Sequence, residues 1–286
     1  MAQKEMEKVQ EFQTVIKPKR GLFEFDLKEV WKYRDLIGLF VKRNFVSQYK
    51  QTILGPLWAI IQPLFTTVIF TIIFGNLAGL APAGVPSFVF YLIGSVGWGY
   101  FSGCLTSTSA TFTANAAIMG KVYFPRLVMP ITTVLSQLIS FGIQFVMFLG
   151  FWVYYWIVGA LTPNWMVLLT PLFVLQMACL GLGLGVIVSA ATTKYRDLAH
   201  AVGFGVQLWM YATPVAYDMS IIPQSIMGIY MLNPVTPIIN TMRYAFLGVG
   251  EFQLVYYLIS WAITLLVLFI GILLFNKVEK TFMDTV

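Results

Sequence analysis

"LVMPITTVLSQLISFGIQFVMFLGFWVYYWIV", residues 127–158, carries no charged side chain. The hydrocarbon core of a bilayer is about 30 Å thick, and a helix needs roughly 20 apolar residues to cross it, so this stretch is long enough to span. Its surplus length implies tilt or extension into the interface. Five further charge-free stretches lie outward from it, at about 57–76, 87–110, 166–191, 201–217 and 253–275, the run at 201–217 being short. The composition agrees, since 58% hydrophobic and 10% charged residues with a mean hydropathy of +0.79 fall far outside the range of soluble domains. The expected fold is an all-α polytopic membrane protein with six transmembrane helices.

Just ahead of the quoted stretch, "MGKVYFPRLVMP" (119–130) sets Lys121 and Arg126 around Pro125, which ends any helix running through it. Of the 18 Lys and Arg, eleven precede residue 51, two stand at 121 and 126, two at 194 and 196, one at 243, and two at 277 and 280. Six spans with both termini in the cytoplasm leave Arg243 as the one cation outside, as the positive-inside rule requires. Lys121 and Arg126 then mark a cytoplasmic connection between the second and third spans. The first twenty residues lack the apolar core of a cleavable signal, so the N-terminus is expected inside. The chain divides into a cytoplasmic N-terminal segment, 1–53, and a transmembrane domain, 54–286.

Within 24–53, Leu27, Val30, Trp31, Ile37, Val41 and Phe45 recur near helical spacing among Lys and Arg. That pattern fits an amphipathic helix in the membrane interface, or a soluble helix packed on another subunit. Residues 221–250 are apolar, but Pro223, Pro234 and Pro237 cut them into pieces too short to cross. Two re-entrant helices between the fifth and sixth spans are expected there, dipping into the outer leaflet.

No Asp or Glu occurs between Asp35 and Asp197. A proton- or sodium-coupled carrier keeps an ionisable group inside the membrane, so this gap argues against a secondary transporter. No G-x-x-x-x-G-K-[ST] phosphate loop is present either, so the chain is not expected to hydrolyse ATP. "GLGLG" at 181–185 reads as a ridge for close helix packing, with Gly181, Gly185 and Ser189 on one side. Cys104 and Cys179 fall inside spans, and a single histidine leaves no metal-ligand cluster.

Ser102, Thr106, Ser109 and Thr113 share one helical face, as do Thr133, Ser136, Ser140 and Gln144. Such stripes line a hydrated path or join helices by hydrogen bonds. Among the aromatics, Phe65, Phe70, Phe101 and Trp209 either stack on sugar rings along a channel or pack the core. Arg243 either pairs with Asp218 or Glu251 or meets an anionic group of a substrate.

The order of elements is specific in combination. A basic helix precedes "QYKQTILGPLWAIIQPLFTTVIFTIIFG" (48–75), followed by "NAAIMGKVYFPRLVMP" (115–130), "KYRDLAH" (194–200), "YATPVAY" (211–217) and "LNPVTPIINTMRYAFLG" (232–248). From about residue 34 onward this resembles the membrane subunit of ABC exporters for lipid-linked polysaccharides, the O-antigen, teichoic acid and capsule permeases. The resemblance implies a type-2 exporter fold in the bacterial inner membrane. It implies a homodimer with two ABC ATPase subunits that bind the ATP and magnesium, no cofactor on this chain, and no nucleic-acid partner.

On that resemblance, Asn115, Gly120, Lys121, Tyr123, Pro125 and Arg126 form the coupling helix that docks on the ATPase. Lys194, Tyr195, Arg196 and Asp197 complete the contact. Lys42, Arg43 and Lys50 attract the pyrophosphate of an undecaprenyl-linked glycan, or ordinary anionic lipid. Ser102, Thr106, Ser109, Thr113, Phe65 and Phe101 line the channel, and Arg243 and Tyr244 gate its outer side. "QYKQTILGPLWAIIQP" looks closest to the O-antigen branch. The alternatives are teichoic acid, capsule or a small hydrophobic substrate, and, from another class, a membrane-embedded enzyme or scaffold of envelope synthesis.

Overall fold

Hydropathy predicts long helices, and the computed structural model, which describes residues 27–119, 124–192 and 197–282, is built of them, with no strand among those residues. Among the described residues, five helices are long and apolar enough to cross a membrane. They are α3 (Gly55–Leu77), α4 (Ser87–Ser109), α6 (Val128–Ile157), α7 (Thr170–Thr192, entered through a 3-10 turn at Trp165–Leu169) and α11 (Leu254–Phe282). Shorter helices fill the intervals: α1 (Leu27–Lys32), α2 (Arg34–Tyr49), α5 (Thr111–Met119), α8 (Leu198–Tyr211), α9 (Gln224–Tyr230) and α10 (Val235–Leu247). α3 is composite, an α-helix at Trp58–Phe70 that ends in a π-helical stretch, Thr71–Leu77.

α4 is the centre of the bundle, with Phe90, Tyr91, Leu92, Ile93 and Phe101 fully buried. Lipid gives no hydrophobic drive between helices, so close approach has to come from small residues. The alternating glycines of α7 supply it on two sides. A Cβ at Gly181 would lie 2.6 Å from Cys104 Cβ, and one at Gly185 would lie 2.5 Å from Thr108 Cβ, so this face seats directly on α4. Gly183 points the other way, where a Cβ would lie 2.8 Å from Leu268 Cα, and Gly271 of α11 meets the Gly183 carbonyl in the same manner at 2.6 Å. Side-chain hydrogen bonds add to this packing: buried Gln176 of α7 donates to Ser260 Oγ of α11 at 2.8 Å, and half-buried Gln137 brings α6 onto α4 by donating to Ser107 Oγ at 2.8 Å.

The run at 201–217 departs from expectation. α8 has 14 residues, about 21 Å, and the chain turns at 212–217 instead of continuing. Pro214 disfavours helix in the residue before it, and the carbonyls freed by the turn are taken up by a side chain from α10.

The N-terminal helix also departs in detail. It breaks at Tyr33, and α2 then follows the first turns of α6 in the same direction, through Phe40 against Phe124 (6.1 Å between ring centroids), Asn44 Nδ2 to Ser136 Oγ (3.3 Å) and Tyr49 Oη to Ser140 Oγ (3.5 Å). Val30 and Phe40 are buried here, and Trp31 is 68% exposed.

Candidate functional site

At the end of the bundle where α2, α5 and the turn into α6 converge, a small aromatic core assembles from distant segments. Phe112 of α5 stacks on Phe275 of α11 at 4.8 Å, and Val30, Phe40, Phe124, Val128 and Met129 are buried in the same cluster. Thr192 Oγ1 donates to the Ser109 carbonyl at 3.2 Å, holding the end of α7 against the elbow at Ala110 that separates α4 from α5. Of the expected coupling residues, Pro125 is buried beside Phe124, Arg126 is half-buried, and Asn115 Nδ2 bonds back to the Thr111 carbonyl at 3.0 Å. Asp197 is exposed at the start of α8. Gly120, Lys121, Tyr123, Lys194, Tyr195 and Arg196 lie outside the described residues.

Lys42, Arg43 and Lys50 are exposed on α2 and at its end. Arg43 and Lys50 stand two turns apart on one face. Arg43 is held over the Phe40 ring at 4.7 Å and donates to Asn44 Oδ1 at 3.1 Å. Ser136 and Ser140, half of the polar stripe seen on α6, are thus a seat for α2. After Tyr49 the chain reverses, with Lys50 extended and Gln51 at a left-handed φ of 65°, to enter α3 at Gly55.

At the opposite end Arg243 of α10 is 2% exposed. Burying a guanidinium costs several kcal/mol unless its N–H groups find acceptors. It finds three in the turn after α8, donating Nη1 to the Pro214 carbonyl (2.5 Å) and the Tyr217 carbonyl (3.1 Å), and Nη2 to the Val215 carbonyl (2.7 Å). Its plane lies over Phe90 of α4, with Cζ 3.6 Å from the ring centroid. Gly94 makes the room, since a Cβ there would lie 2.7 Å from Nη2. Arginine keeps its charge in proteins, so the buried guanidinium needs these acceptors.

This corrects two expectations for Arg243. Its hydrogen-bond partners are backbone carbonyls, not the carboxylate of Asp218 or Glu251, and its burial leaves no face for a substrate anion. Tyr244, the other expected gate residue, is half-buried, and its carbonyl accepts from Asn164 Nδ2 at 2.9 Å. Trp152 Nε1 caps the neighbouring Phe246 carbonyl at 2.7 Å, and Gly248 closes α10 at a left-handed φ of 72°. Sequence reasoning missed Gly94, Trp152, Asn164 and Asn233. Asn233 accepts from Trp209 Nε1 at 3.1 Å and donates to Thr213 Oγ1 at 2.9 Å, a second tie between α8 and the segment leading to α10.

The expected channel lining is also revised. Phe101 is fully buried, edge-on to Trp209 (5.3 Å) and Trp98 (5.4 Å), and Ser109 is buried with its hydroxyl on the Thr106 carbonyl. Both are packed within this chain. Ser102 and Thr106 are half-buried, with hydroxyls returned to the carbonyls of Gly99 and Ser102. Thr113 is exposed beyond the elbow on α5, and Phe65 is exposed on α3.

Fold and chemistry together define a multi-pass helical membrane protein with a basic N-terminal helix, a buried central span, and a short-helix segment clamped across its far end. The chain belongs to the ABC-2 type transporter family, whose model matches residues 35–247. Curated relatives include the O-antigen export system permease protein RfbA of Klebsiella pneumoniae, 28% identical over 255 residues, covering 87% of this chain and 94% of the relative. The protein of the same name from Myxococcus xanthus is 28% identical over 225 residues, covering 77% and 83%.

Proposed function

We propose that this chain is the transmembrane subunit of an ATP-driven exporter of O-antigen, carried on a polyprenyl pyrophosphate across the bacterial inner membrane. The observation that carries this reading is the family match from residue 35 to 247, joined to relatives of that function aligned over most of both chains. The sequence contains no phosphate loop, which agrees with energy supplied by a separate ATPase subunit. The chain works as a homodimer with two such subunits.

In this reading α8 is the fifth of six crossings, and both termini are cytoplasmic. The turn that follows it meets Gly94 through the Val215 carbonyl, seven residues into α4, so the chain turns back about 10 Å short of the level at which α4 begins. α9 and α10 fill that recess as re-entrant helices, Ile239 reaching the level of Gly97. The α5 and Phe124 cluster, with Arg126 and Asp197, receives the ATPase. α2 lies in the head-group zone, with Lys42, Arg43 and Lys50 toward the pyrophosphate.

Co-purification from the native membrane tests the proposal. An equimolar ATPase subunit with vanadate-sensitive turnover, stimulated by lipid-linked glycan, is expected. A chain that purifies alone, or turnover indifferent to the glycan, refutes it.

A further inference from the structure

Between α3 and α6 runs an open groove of about 500 Å³, lined by Ile60, Ile139, Gly142, Ile143, Val146 and Met147. Its depth in the bilayer follows from a hydrogen bond. Gln137 donates to Ser107, two residues before α4 ends at Ser109, and α4, with 23 residues or about 34 Å, is close to the hydrocarbon thickness. One edge of the hydrocarbon core therefore falls near Gln137. The groove begins just inside that edge, at Ile139, and extends inward about 12 Å to Met147.

The helix α2 ends at the same edge. Tyr49 meets Ser140, and Ser140 continues as i+3 and i+7 into Ile143 and Met147 of the groove wall. Lys50 follows Tyr49 directly, with Arg43 on the same face and Lys42 beside it, all exposed. A cationic rim at head-group level that opens onto an apolar slot complements an amphiphile with a phosphate head and a hydrocarbon tail. Three cations within residues 42–50 match the multiple charge of a pyrophosphate better than the single charge of a phosphatidylglycerol.

We propose that this groove holds the hydrocarbon tail of the polyprenyl lipid that carries the exported glycan, while Lys42, Arg43 and Lys50 hold its phosphate. The inference rests on the exporter reading and adds to it a site for the lipid tail. Gly142 makes the site testable. A Cβ added at Gly142 meets nothing within 4 Å, and the same holds for Gly150, which is outside the groove. Leucine fits at either position, but only Gly142→Leu fills the groove.

The full chain in nanodiscs of zwitterionic lipid is photolysed with a polyprenyl phosphate bearing a diazirine in its head-proximal isoprene units, and adducts are mapped by peptide mass spectrometry. Adducts are expected on the peptides that hold Ile60 and Ile139–Met147. Gly142→Leu cuts them about tenfold, the worth of roughly two lost methylene contacts, while Gly150→Leu leaves them unchanged. Excess phosphatidylglycerol does not displace them. Labelling confined to other helices, full labelling of Gly142→Leu, or displacement by phosphatidylglycerol overturns the tail site. The exporter reading fails separately. Should Lys42→Gln, Arg43→Gln and Lys50→Gln together abolish lipid binding while Gly142→Leu labels fully, the head-group contact stands and the groove is overturned. Groove adducts in a chain that recruits no ATPase sink the exporter reading alone.

Discussion

Gly94→Ala and Arg243→Leu, made singly and together, measure the clamp at the far end of α4. In Gly94→Ala the new methyl starts 2.7 Å from Nη2, and ordinary contact begins at 3.4 Å, so the guanidinium has to withdraw from its 2.7 Å bond to the Val215 carbonyl. Losing one charge-assisted hydrogen bond in a buried site costs about 2 kcal/mol. Arg243→Leu strands the carbonyls of Pro214, Val215 and Tyr217, and relief from burying a charge offsets only part of that, leaving about 3–5 kcal/mol. In the double variant the methyl no longer meets a guanidinium, so the second substitution adds little, and the coupling is about 1.5–2 kcal/mol. Reversible unfolding in mixed micelles, followed by tryptophan fluorescence, supplies the four stabilities. Additivity within about 0.5 kcal/mol would show that Gly94 and Arg243 do not share one site, and the clamp would be refuted.

Four further outcomes are expected. Gly185→Val drives a side chain against Thr108 and lowers stability by about 3 kcal/mol or more, whereas Gly203→Ala, with nothing within 4 Å, shifts it by less than about 1 kcal/mol; thermal unfolding in detergent separates them. Asn164→Ala removes the donor to Tyr244 and the acceptor of Met166 N–H, costing about 1–3 kcal/mol, with faster amide exchange confined to the end of α10 and the turn before α7. Arg126→Glu lowers glycan-stimulated ATP turnover several-fold with insertion intact; unchanged turnover in a normally assembled complex defeats its coupling role. Replacing Lys42, Arg43 and Lys50 by Gln removes roughly 1 kcal/mol of attraction to anionic vesicles per cation at low salt, an effect that fades as ionic strength rises.

Long apolar runs were legible because crossing a bilayer is a local requirement. The stretches 87–110 and 127–158 became Ser87–Ser109 and Val128–Ile157, within a residue of the hydropathy boundaries. The run at 201–217 ends its helix earlier than hydropathy suggests, because that end is decided elsewhere: Arg243, 29 residues beyond Pro214, donates to the carbonyls the turn frees. Glycine spacing at 181–185 announced close packing, and the geometry added that its two faces serve two neighbours. Aromatics gave no such signal, since Phe101 in a core and Phe65 on a surface look alike in sequence. The stripe Ser136 and Ser140 was visible, but its partner was an amphipathic helix whose docking direction no periodicity encodes.

How the two ends of the molecule communicate is constrained by which helices can slide. Gly181 and Gly185 rest on the backbone of α4, and Gly183 and Gly271 bring α7 and α11 into backbone contact, so an axial shift of a fraction of a turn would drive Cα against carbonyl. Tightly packed interfaces of that kind are bistable at best, and these three helices move as one block. α3 and α8 are different, because no glycine of either brings it into backbone contact with this block. At one end of the block sits the Phe112, Phe124 and Phe275 cluster, and at the other Arg243 fastens α10, the end of α8 and Phe90 of α4 together. A push delivered at the aromatic cluster therefore reaches the far end through α4 without loss to sliding. There Arg243 obliges α10 to follow the end of α8.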